Sequence, residues 1–356
     1  MAIVTVKDIC ADLRERFEAK ERLALYFGDA RILLNTNSAE LAFGLADYFD
    51  GFLDQTGGDP DIEITALDGV SYDLGDGFEI KEPDPGKTKI KEEFLDFADG
   101  RAVRKRLTGM MFLFGTGCNM AWGPCRENDN QVVNFINNRF IQWGLERGAL
   151  LAHAAAVSRE GRGLALAGFS GMGKSTLALH LMSRGLHFVS NDRLLIRRSG
   201  NRVTMLGVPK LPRINPGTAL NNPDLESVIP PGEREQFETL ASDEIWDLEH
   251  KYDVRIDECF GPGRFNLSSS MEALAILNWH RDGAYPELHQ VDLNQRRDLL
   301  GAVRKSPGLF FLSPDGEPDY SEEAYIRRLE GVAVYEVRGG VDFQAAADLL
   351  SDLDCL

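Results

Sequence analysis

The stretch Gly168-Phe-Ser-Gly-Met-Gly-Lys-Ser175 decides the fold of this chain. It matches the pattern G-x-x-x-x-G-K-[S/T], in which glycines let backbone N–H groups surround a phosphate. The apolar run Gly163–Gly168 before it has the length of a strand, and Thr176–Arg184 after it is rich in helix formers and closed by Gly185. A strand, loop and helix in this order turn a helix N-terminus toward an anion. The stretch therefore predicts a nucleotide triphosphate site in an α/β fold.

Within this loop, each residue type predicts a contact. Lys174 supplies a positive charge for the β and γ phosphates, and Ser175 supplies a hydroxyl for Mg²⁺. ATP and Mg²⁺ are the expected cofactors. The predicted nucleotide-binding residues are Gly168, Ser170, Gly171, Met172, Gly173, Lys174, Ser175 and Thr176.

An acidic residue follows the loop after a single helix. The short apolar strand His187–Ser190 ends in Asn191-Asp192, so that Asp192 lies only 18 residues beyond Lys174. We expect this strand to pair beside Gly163–Gly168 and to bring the carboxylate close to the γ-phosphate. There it would accept the proton of an acceptor hydroxyl. The alternative role for this aspartate is to cap a helix or turn.

These segments resemble the HPr kinase/phosphorylase family, whose core shares its fold with phosphoenolpyruvate carboxykinase. The family's pattern is a histidine on a strand, a G-x-S-G-x-G-K-S loop, a helix ending in Arg-Gly and a strand ending in Asp-Asp. At the family's spacing, the chain has His153 on the apolar strand Ala149–Val157, then the loop, Arg184-Gly185 and Asn191-Asp192. The resemblance covers roughly residues 150 to 195, and Gly261–Arg264 is similar to a late Pro-Gly-Arg-Asn segment. It implies a kinase core with a mixed sheet.

The resemblance also implies roles for individual residues. Asp192 would act as the base, Lys174 would hold phosphates, and His153 with Arg213 or Arg264 would stabilise the transferring group. Without its spacing to the loop, a histidine on so apolar a strand is more typical of a core residue. The predicted metal ligands are Ser175, Asn191 and Asp192.

Two features depart from the family's pattern. Asn191 stands where the family has the first aspartate, so one negative charge near the metal is missing. Gly207–Gly217 replaces the segment that in the family concerns the protein substrate and the reverse reaction. In these respects the chain looks most like the HPr kinase-related type B proteins, whose gene neighbourhoods suggest sugar metabolism.

The acceptor prediction depends on a third stretch, Trp246-Asp-Leu-Glu-His-Lys-Tyr-Asp253. It mixes aromatic, acidic and basic side chains, which suits a site that hydrogen-bonds hydroxyls and stacks on a sugar ring. The predicted substrate-binding residues are Trp246, Glu249, Lys251 and Asp253, and the alternative is a solvated helix end with ion pairs. The leading prediction is transfer to a sugar such as glucose, with the anomeric hydroxyl one option. A protein serine kinase and a nucleotide-binding regulatory module with little turnover are the alternatives.

The chain divides by pattern into an N-terminal α+β domain at residues 1–127 and a catalytic P-loop domain at 128–356. The first domain is a scaffold or contributes to substrate binding. Apolar spacings predict helices at Val6–Phe27, Ala39–Leu53 and Val132–Arg147, strands at Ala30–Asn35, Asp61–Thr65, Met110–Phe114 and Leu274–Asn278, and a loop at Pro223–Glu238 that is suited to a lid.

Composition bounds the function. The net charge of −17 over 356 residues disfavours nucleic acid and anionic membranes as partners, while Lys174 and four other cations, Arg193, Lys210, Arg213 and Arg264, can supply a local phosphate site. No apolar run is long enough to span a bilayer and the N-terminus does not read as a signal peptide, so we expect a cytoplasmic protein, with a homo-oligomer left open. Five scattered cysteines predict neither a disulfide framework nor, at Cys118 and Cys125, a zinc site.

Overall fold

The chain forms two compact units in a computed structural model. The structure describes residues 5–83, 88–237, 239–240, 242–248, 250–281, 284–313 and 318–356. Within those ranges, the first unit comprises residues 5–146 and 307–313, and the second comprises 147–306 and 318–356. The functional division after residue 127 stays a prediction, and the first compact unit runs on to Glu146.

The helices begin and end as follows: α1 Val6–Arg16, α2 Ala39–Tyr48, α3 Asp129–Glu146, α4 Lys174–Met182, α5 Pro216–Leu220, α6 Pro231–Phe237, α7 Ser242–Asp247, α8 Ile256–Phe260, α9 Leu300–Val303, α10 Glu322–Leu329 and α11 Phe343–Ser351. The strands are β1 Glu21–Phe27, β2 Ala30–Thr36, β3 Ile62–Asp68, β4 Glu79–Ile80, β5 Glu92–Phe97, β6 Gly100–Lys105, β7 Met111–Gly115, β8 Cys118–Gly123, β9 Leu150–Ala152, β10 Ala154–Arg159, β11 Arg162–Gly168, β12 His187–Ser190, β13 Leu194–Ser199, β14 Arg202–Gly207, β15 Arg213–Ile214, β16 Tyr252–Asp253, β17 Ser268–Leu277, β18 Glu287–Gln290 and β19 Ala333–Arg338.

The first unit is built on one mixed sheet. Counted over the described residues, it has eight strands in the order β1-β2-β3-β8-β7-β6-β5-β4, with β3 parallel to both β2 and β8. Helix α1 packs an apolar stripe on one face of this sheet, beside Leu113 and Met120. A capping box between Thr5 and Asp8 fixes where that helix begins, because each side chain bonds the other residue's backbone N–H.

The second unit also has a mixed sheet, and it carries the phosphate loop. Among the described residues, nine strands follow the path β12-β10-β11-β17-β14-β13-β9, with β19 beside β17 and β18 beside β19. Strands β11, β17 and β19 are parallel neighbours, so their carboxyl ends meet at one edge. The alternating side chains of β11 enter two cores, one beneath α4 and α11 and one beneath α9 and α10. The prediction of a mixed α/β fold is confirmed.

A tight hairpin joins β10 to β11. The register pairs Arg159 with Arg162, and the two residues between them, Glu160 and Gly161, have φ values of 51° and 79°. Positive φ at both central positions matches the right-handed twist of the flanking strands, which makes such turns the favoured hairpin connection. The strand that carries the loop is thus paired locally on one side.

Four predicted elements differ from the structure in type, continuity or pairing. The helix predicted over Val6–Phe27 ends at Arg16, because Glu21–Phe27 alternates exposed and buried side chains and forms a strand. The strand predicted over Ala149–Val157 is interrupted at His153. The loop predicted over Pro223–Glu238 contains α6 and a 3-10 helix at Pro223–Val228 instead, with Pro at the first position of each.

The fourth difference concerns β12, which does not pair beside β11. It pairs antiparallel with β10, and β10 in turn pairs antiparallel with β11. One strand, β10, therefore lies between β11, which leads to the loop, and β12, which leads to Asp192. Because two antiparallel steps restore the direction, β12 still ends at the same edge of the sheet as β11.

None of the helices in the described ranges combines the length and the apolar character that a bilayer crossing requires.

The core beneath the loop contains an ionisable group, His180 of α4. The residue is 2% exposed and neither ring nitrogen has a hydrogen-bond partner among the described residues. Burial, with the charge of Arg184 adding and Asp342 opposing, lowers the pKa of this imidazole from 6.5 to about 4. Between those values the unfolded chain binds a proton that the folded chain excludes, so stability falls as the pH falls.

We expect His180→Leu to flatten this pH dependence. In the wild type, the buried imidazole should lower the free energy of unfolding by about 2 kcal/mol when the pH falls from 7 to 5. Thermal unfolding at both pH values measures the difference. The control is His289→Leu, since His289 is 44% exposed in its pair with Glu287. A His180→Leu variant that loses as much stability on acidification as the wild type would contradict the interpretation.

Candidate active site

The phosphate loop joins the carboxyl end of β11 to the N-terminus of α4. Gly173, the N-cap of α4, has φ +83°, a left-handed conformation that side chains disfavour. A Cβ at this position would also lie 2.5 Å from the ring of Phe343. Glycine is therefore required twice here, once by the backbone and once by the packing. The turn directs the free N–H groups of the first turn of α4 toward the loop.

Lys174 lies across the mouth of this loop. Its side chain is largely buried, at 8% exposure, and Nζ donates to the carbonyl oxygens of Gly168, at 2.9 Å, and Phe169, at 3.3 Å. Burial lowers the pKa of the ammonium, Asp192 opposes that shift and Lys305 adds to it. The lysine is thus a desolvated charge held by the loop's own backbone.

The remaining loop residues divide into exposed and packed positions. Ser170 and Gly171 are exposed, and Ser175 is half-buried in the first turn of α4. The Thr176 hydroxyl is instead 2.9 Å from the hydroxyl of Thr218 on α5, where both are buried. The Met172 side chain packs into the core beneath α4. The predicted nucleotide contacts of these residues stay predictions.

His153 and Asp192 form a hydrogen-bonded pair at the edge where the loop lies. Nε2 of His153 is 3.0 Å from Oδ1 of Asp192, and the two side chains are 18% and 45% exposed. His153 is the single residue between β9, which pairs with β13, and β10, which pairs with β11 and β12. This histidine therefore joins β9, at one end of the strand order, to β10, which lies next to the strand at the other end. The two residues that sequence patterns singled out are brought together by this closure.

The protonation of Asp192 follows from its neighbours. Burial opposes ionisation, but the hydrogen bond with His153 and the charges of Lys305 and Arg193 outweigh it and hold the pKa of Asp192 below its ordinary value. The carboxylate is thus ionised at neutral pH. Because folding lowers this pKa, the pair adds stability above pH 3.8 and loses it as the pH falls further.

Asn191 lies between the strand end and this carboxylate, in a turn closed by a bond from the Ser190 hydroxyl to the Arg193 carbonyl. Its side-chain oxygen is buried with no hydrogen-bond partner among the described residues. A buried acceptor without a donor costs free energy unless a ligand or water satisfies it. The oxygen is therefore available to a cation.

A cation that the sequence patterns missed, Lys305, also belongs to this site. The backbone N–H of His153 donates to the carbonyl of Val303 at 2.8 Å, and an isolated bridge pairs Ala152 with Arg304. These contacts bring the end of α9 alongside the histidine. The charge of Lys305 then lowers the pKa of both Lys174 and Asp192. Because this contact joins positions about 150 residues apart, no local motif could have identified it.

A second group of charges adjoins the pair. Burial, with the nearby charge of Arg193 adding, lowers the pKa of Lys210, while Asp192 and Asp253 oppose the shift. Arg213 also lowers it and pairs with Asp253 at 3.1 Å, with the two side chains 50% and 52% exposed. The charges of Asp192 and Asp253 thus both act on Lys210, and Asp253 also belongs to an exposed ion pair.

Arg264 lies elsewhere. Its guanidinium donates to the carbonyls of Met182, at 3.2 Å, and Leu186, at 2.7 Å. Those carbonyls lie at the C-terminal end of α4 and just beyond it, roughly 12 Å of helix away from the loop. The structure therefore does not bring Arg264 to Lys174, and we leave it out of the proposed mechanism.

The predicted acceptor stretch is divided among different environments. Trp246 packs on Phe343, with ring centroids 5.9 Å apart, and a Cβ on Gly217 would lie 2.7 Å from its ring. Lys251 is exposed, and Asp253 forms the pair with Arg213. Glu249 lies outside the described residues. No group of three or more His, Cys, Asp or Glu side chains in the described ranges is arranged to hold a metal by itself.

No family model matches the chain. Three curated proteins named HPr kinase/phosphorylase match parts of it: one from Exiguobacterium sp., 34% identical over 86 residues (24% of this chain and 25% of that protein); one from Chlorobium chlorochromatii, 43% over 54 residues (15% and 16%); and one from Exiguobacterium sibiricum, 30% over 89 residues (25% and 27%). The chain thus spans about a quarter or less of the length of these relatives. A solved structure, the Hpr(Ser) kinase/phosphatase from Coxiella burnetii, is similar at 12% identity with a TM-score of 0.30, covering 57% of this chain and 92% of that one. The sequence matches confirm a relation to HPr kinase/phosphorylase over part of the chain.

We expect His153→Phe to raise the pKa of Asp192. The substitution removes the largest of the contributions that lower this pKa and leaves the burial that raises it. Titration of aspartate carboxyl carbons by ¹³C NMR measures the change. The control is His187→Phe, because His187 bonds Asn266 at 2.8 Å and makes no contribution to Asp192. An unchanged Asp192 titration in His153→Phe would mean that the pair does not form in solution.

Proposed function

We propose that this chain is an ATP- and Mg²⁺-dependent kinase that transfers the γ-phosphate to a hydroxyl group. The observation that carries the proposal is the His153–Asp192 pair, because β12 leads to this carboxylate at the same edge of the sheet at which β11 leads to the phosphate loop. A phosphate loop alone would bind a nucleotide. A carboxylate held next to the loop provides the base that takes the proton of an acceptor hydroxyl.

On the nucleotide side, the loop N–H groups and the N-terminus of α4 bind the β and γ phosphates. Lys174 exchanges its bonds to the Gly168 and Phe169 carbonyls for bonds to phosphate oxygens. Lys305 adds a second positive charge on the side of Asp192. Transfer needs mainly positioning and charge, since the transition state is loose and its charge is spread over the phosphoryl oxygens.

The residues present fit Mg²⁺. This ion takes oxygen ligands and is usually held by one or two carboxylates together with substrate phosphates and water. Asp192, the Ser175 hydroxyl and the unpaired side-chain oxygen of Asn191 would hold it. When bound, the ion neutralises charge on the phosphate oxygens.

On the acceptor side, Asp192 takes the proton of the attacking hydroxyl. The acceptor oxygen forms a bond to phosphorus as the bond to the ADP oxygen breaks, and the proton passes to the carboxylate. His153 keeps that carboxylate oriented. A base with a lowered pKa suffices, because in a loose transition state the hydroxyl proton leaves late.

For the acceptor, the comparisons favour the serine hydroxyl of a protein over a sugar. The matching relatives are named kinases of HPr, whereas no relative supports a sugar. The Arg213–Asp253 pair is exposed, and Asp253 and Asp192 both oppose the lowering of the Lys210 pKa, so we assign the acceptor to this side of the site. Trp246, whose ring packs on Phe343, has less free surface for stacking on a sugar. A sugar acceptor remains the second candidate because the Gly207–Gly217 segment departs from the related family.

We expect Asp192→Asn to reduce turnover by ~100-fold or more while the dissociation constant of ATP, measured without Mg²⁺, changes little. The amide keeps the shape of the side chain but cannot accept the proton. Turnover is measured by ADP release and ATP affinity by calorimetry. The control is Asp348→Asn, which removes a carboxylate that pairs with Arg184 at 2.6 Å, beyond the far end of α4. Loss of Mg²⁺-ATP affinity without loss of turnover at saturation would make Asp192 a metal ligand and not the base.

The acceptor is tested by incubating the protein with ATP, Mg²⁺ and either HPr or a panel of sugars, followed by phosphorus NMR. We expect a phosphoserine signal on HPr. Asp253→Asn should then raise the acceptor KM with the ATP dissociation constant unchanged, because it breaks the exposed pair with Arg213. Asp298→Asn, 62% exposed and paired with Arg296, serves as the control. Sugar phosphate signals would favour the second candidate, and ATP binding without any transfer would favour a regulatory module.

A further inference from the structure

Trp279 lies directly behind the phosphate loop, and the proposed mechanism gives it no role. It follows β17 and is 2% exposed. The backbone on either side is fixed, because the N–H of Asn278 donates to Val337 and that of His280 to Gly339, both at 2.9 Å. Trp279 is therefore held by the same sheet edge that presents the loop.

The indole of Trp279 is bonded to the loop itself. Nε1 donates to the carbonyl oxygen of Met172 at 3.0 Å. A planar trans peptide directs its C=O and its N–H to opposite sides. Holding the Met172 carbonyl against the core therefore turns the N–H of Gly173 away from the core, toward the space where the loop receives a phosphate.

Phe343 fixes the same peptide at a second point. Its ring lies under Gly173, so closely that a Cβ there would be 2.5 Å away. Trp279 packs edge-on against this ring, with centroids 5.4 Å apart and an interplanar angle of 85°, and His180 stacks on it at 5.8 Å. Gly173 thus packs on the ring of Phe343, and the carbonyl of Met172 before it accepts a hydrogen bond from Trp279. Rotation of this peptide would break the hydrogen bond from Trp279.

We propose that Trp279 is a positioning residue for phosphate binding: its indole N–H holds the Met172–Gly173 peptide so that the Gly173 N–H faces the phosphates of the nucleotide. The inference depends on the proposed nucleotide site and adds to it. A donor oriented before binding loses no free energy to reorganisation when the anion arrives. The orientation of this N–H should therefore affect the binding of the phosphates and not the binding of the nucleoside.

The test is Trp279→Phe, which keeps an aromatic ring and removes the donor. We expect the dissociation constants of ATP and ADP to rise about three- to tenfold, as for one lost hydrogen bond, with that of adenosine unchanged. Calorimetry measures all three. A second variant carries 3-benzothienylalanine at position 279, a tryptophan isostere with sulfur in place of N–H, and should reproduce the loss while the packing of the ring is kept.

The chain offers a matched control in Trp122→Phe. Trp122 is 1% exposed, and its Nε1 donates to the Tyr72 carbonyl at 3.3 Å in the first unit. That variant should lose stability and keep the wild-type ATP affinity. Equal weakening of ATP and adenosine by Trp279→Phe, or unchanged ATP affinity in the isostere, would overturn the positioning role. Absence of ATP binding by the wild-type protein would instead refute the proposed function.

Discussion

The parallel pairing of β11 with β17 is the constraint on which the rest of the site depends. It aligns Gly168 with Leu277, so that the loop after one strand and Trp279 after the other leave the sheet at the same level. Strand β19 continues the alignment by pairing Val337 with Leu277 and leads to the helix that carries Phe343. The conformation of the loop is thus decided by three strand ends and not by its glycines alone.

The site also illustrates how a strongly acidic chain can bind an anion. The net charge of −17 is a property of the whole surface, whereas Lys174, Lys210 and Lys305 lie around one carboxylate. Burial lowers the pKa of Lys174 and Lys210, which means that each cation is poorly hydrated. A cation that has already lost part of its hydration gives up less water when a phosphate binds.

The loop, its strand and its helix could be predicted from the sequence because a local pattern specifies each of them. His153 and Asp192 could also be singled out, but only through the motif spacing of the HPr kinase/phosphorylase family, and their contact depends on the closure of the sheet at β9 and β10. Lys305 and Trp279 are brought in by pairing between distant segments, which leaves no local pattern in the sequence. Likewise, the family resemblance implies a catalytic role for Arg264, yet long-range packing places its guanidinium at the far end of α4. Local chemistry predicted which groups are available, and topology decided which of them meet.

The pairing of β11 has a consequence for how the protein folds. On one side its partner is β10, reached through a two-residue turn, so that hairpin can form within microseconds. On the other side its partner is β17, more than a hundred residues later in the chain. Contacts of such sequence separation form slowly, and until they form an apolar strand has an open edge that can pair with other chains. During synthesis, the loop is therefore made before the strand that fixes its conformation. In this interval the open edge of β11 exposes the nascent chain to aggregation.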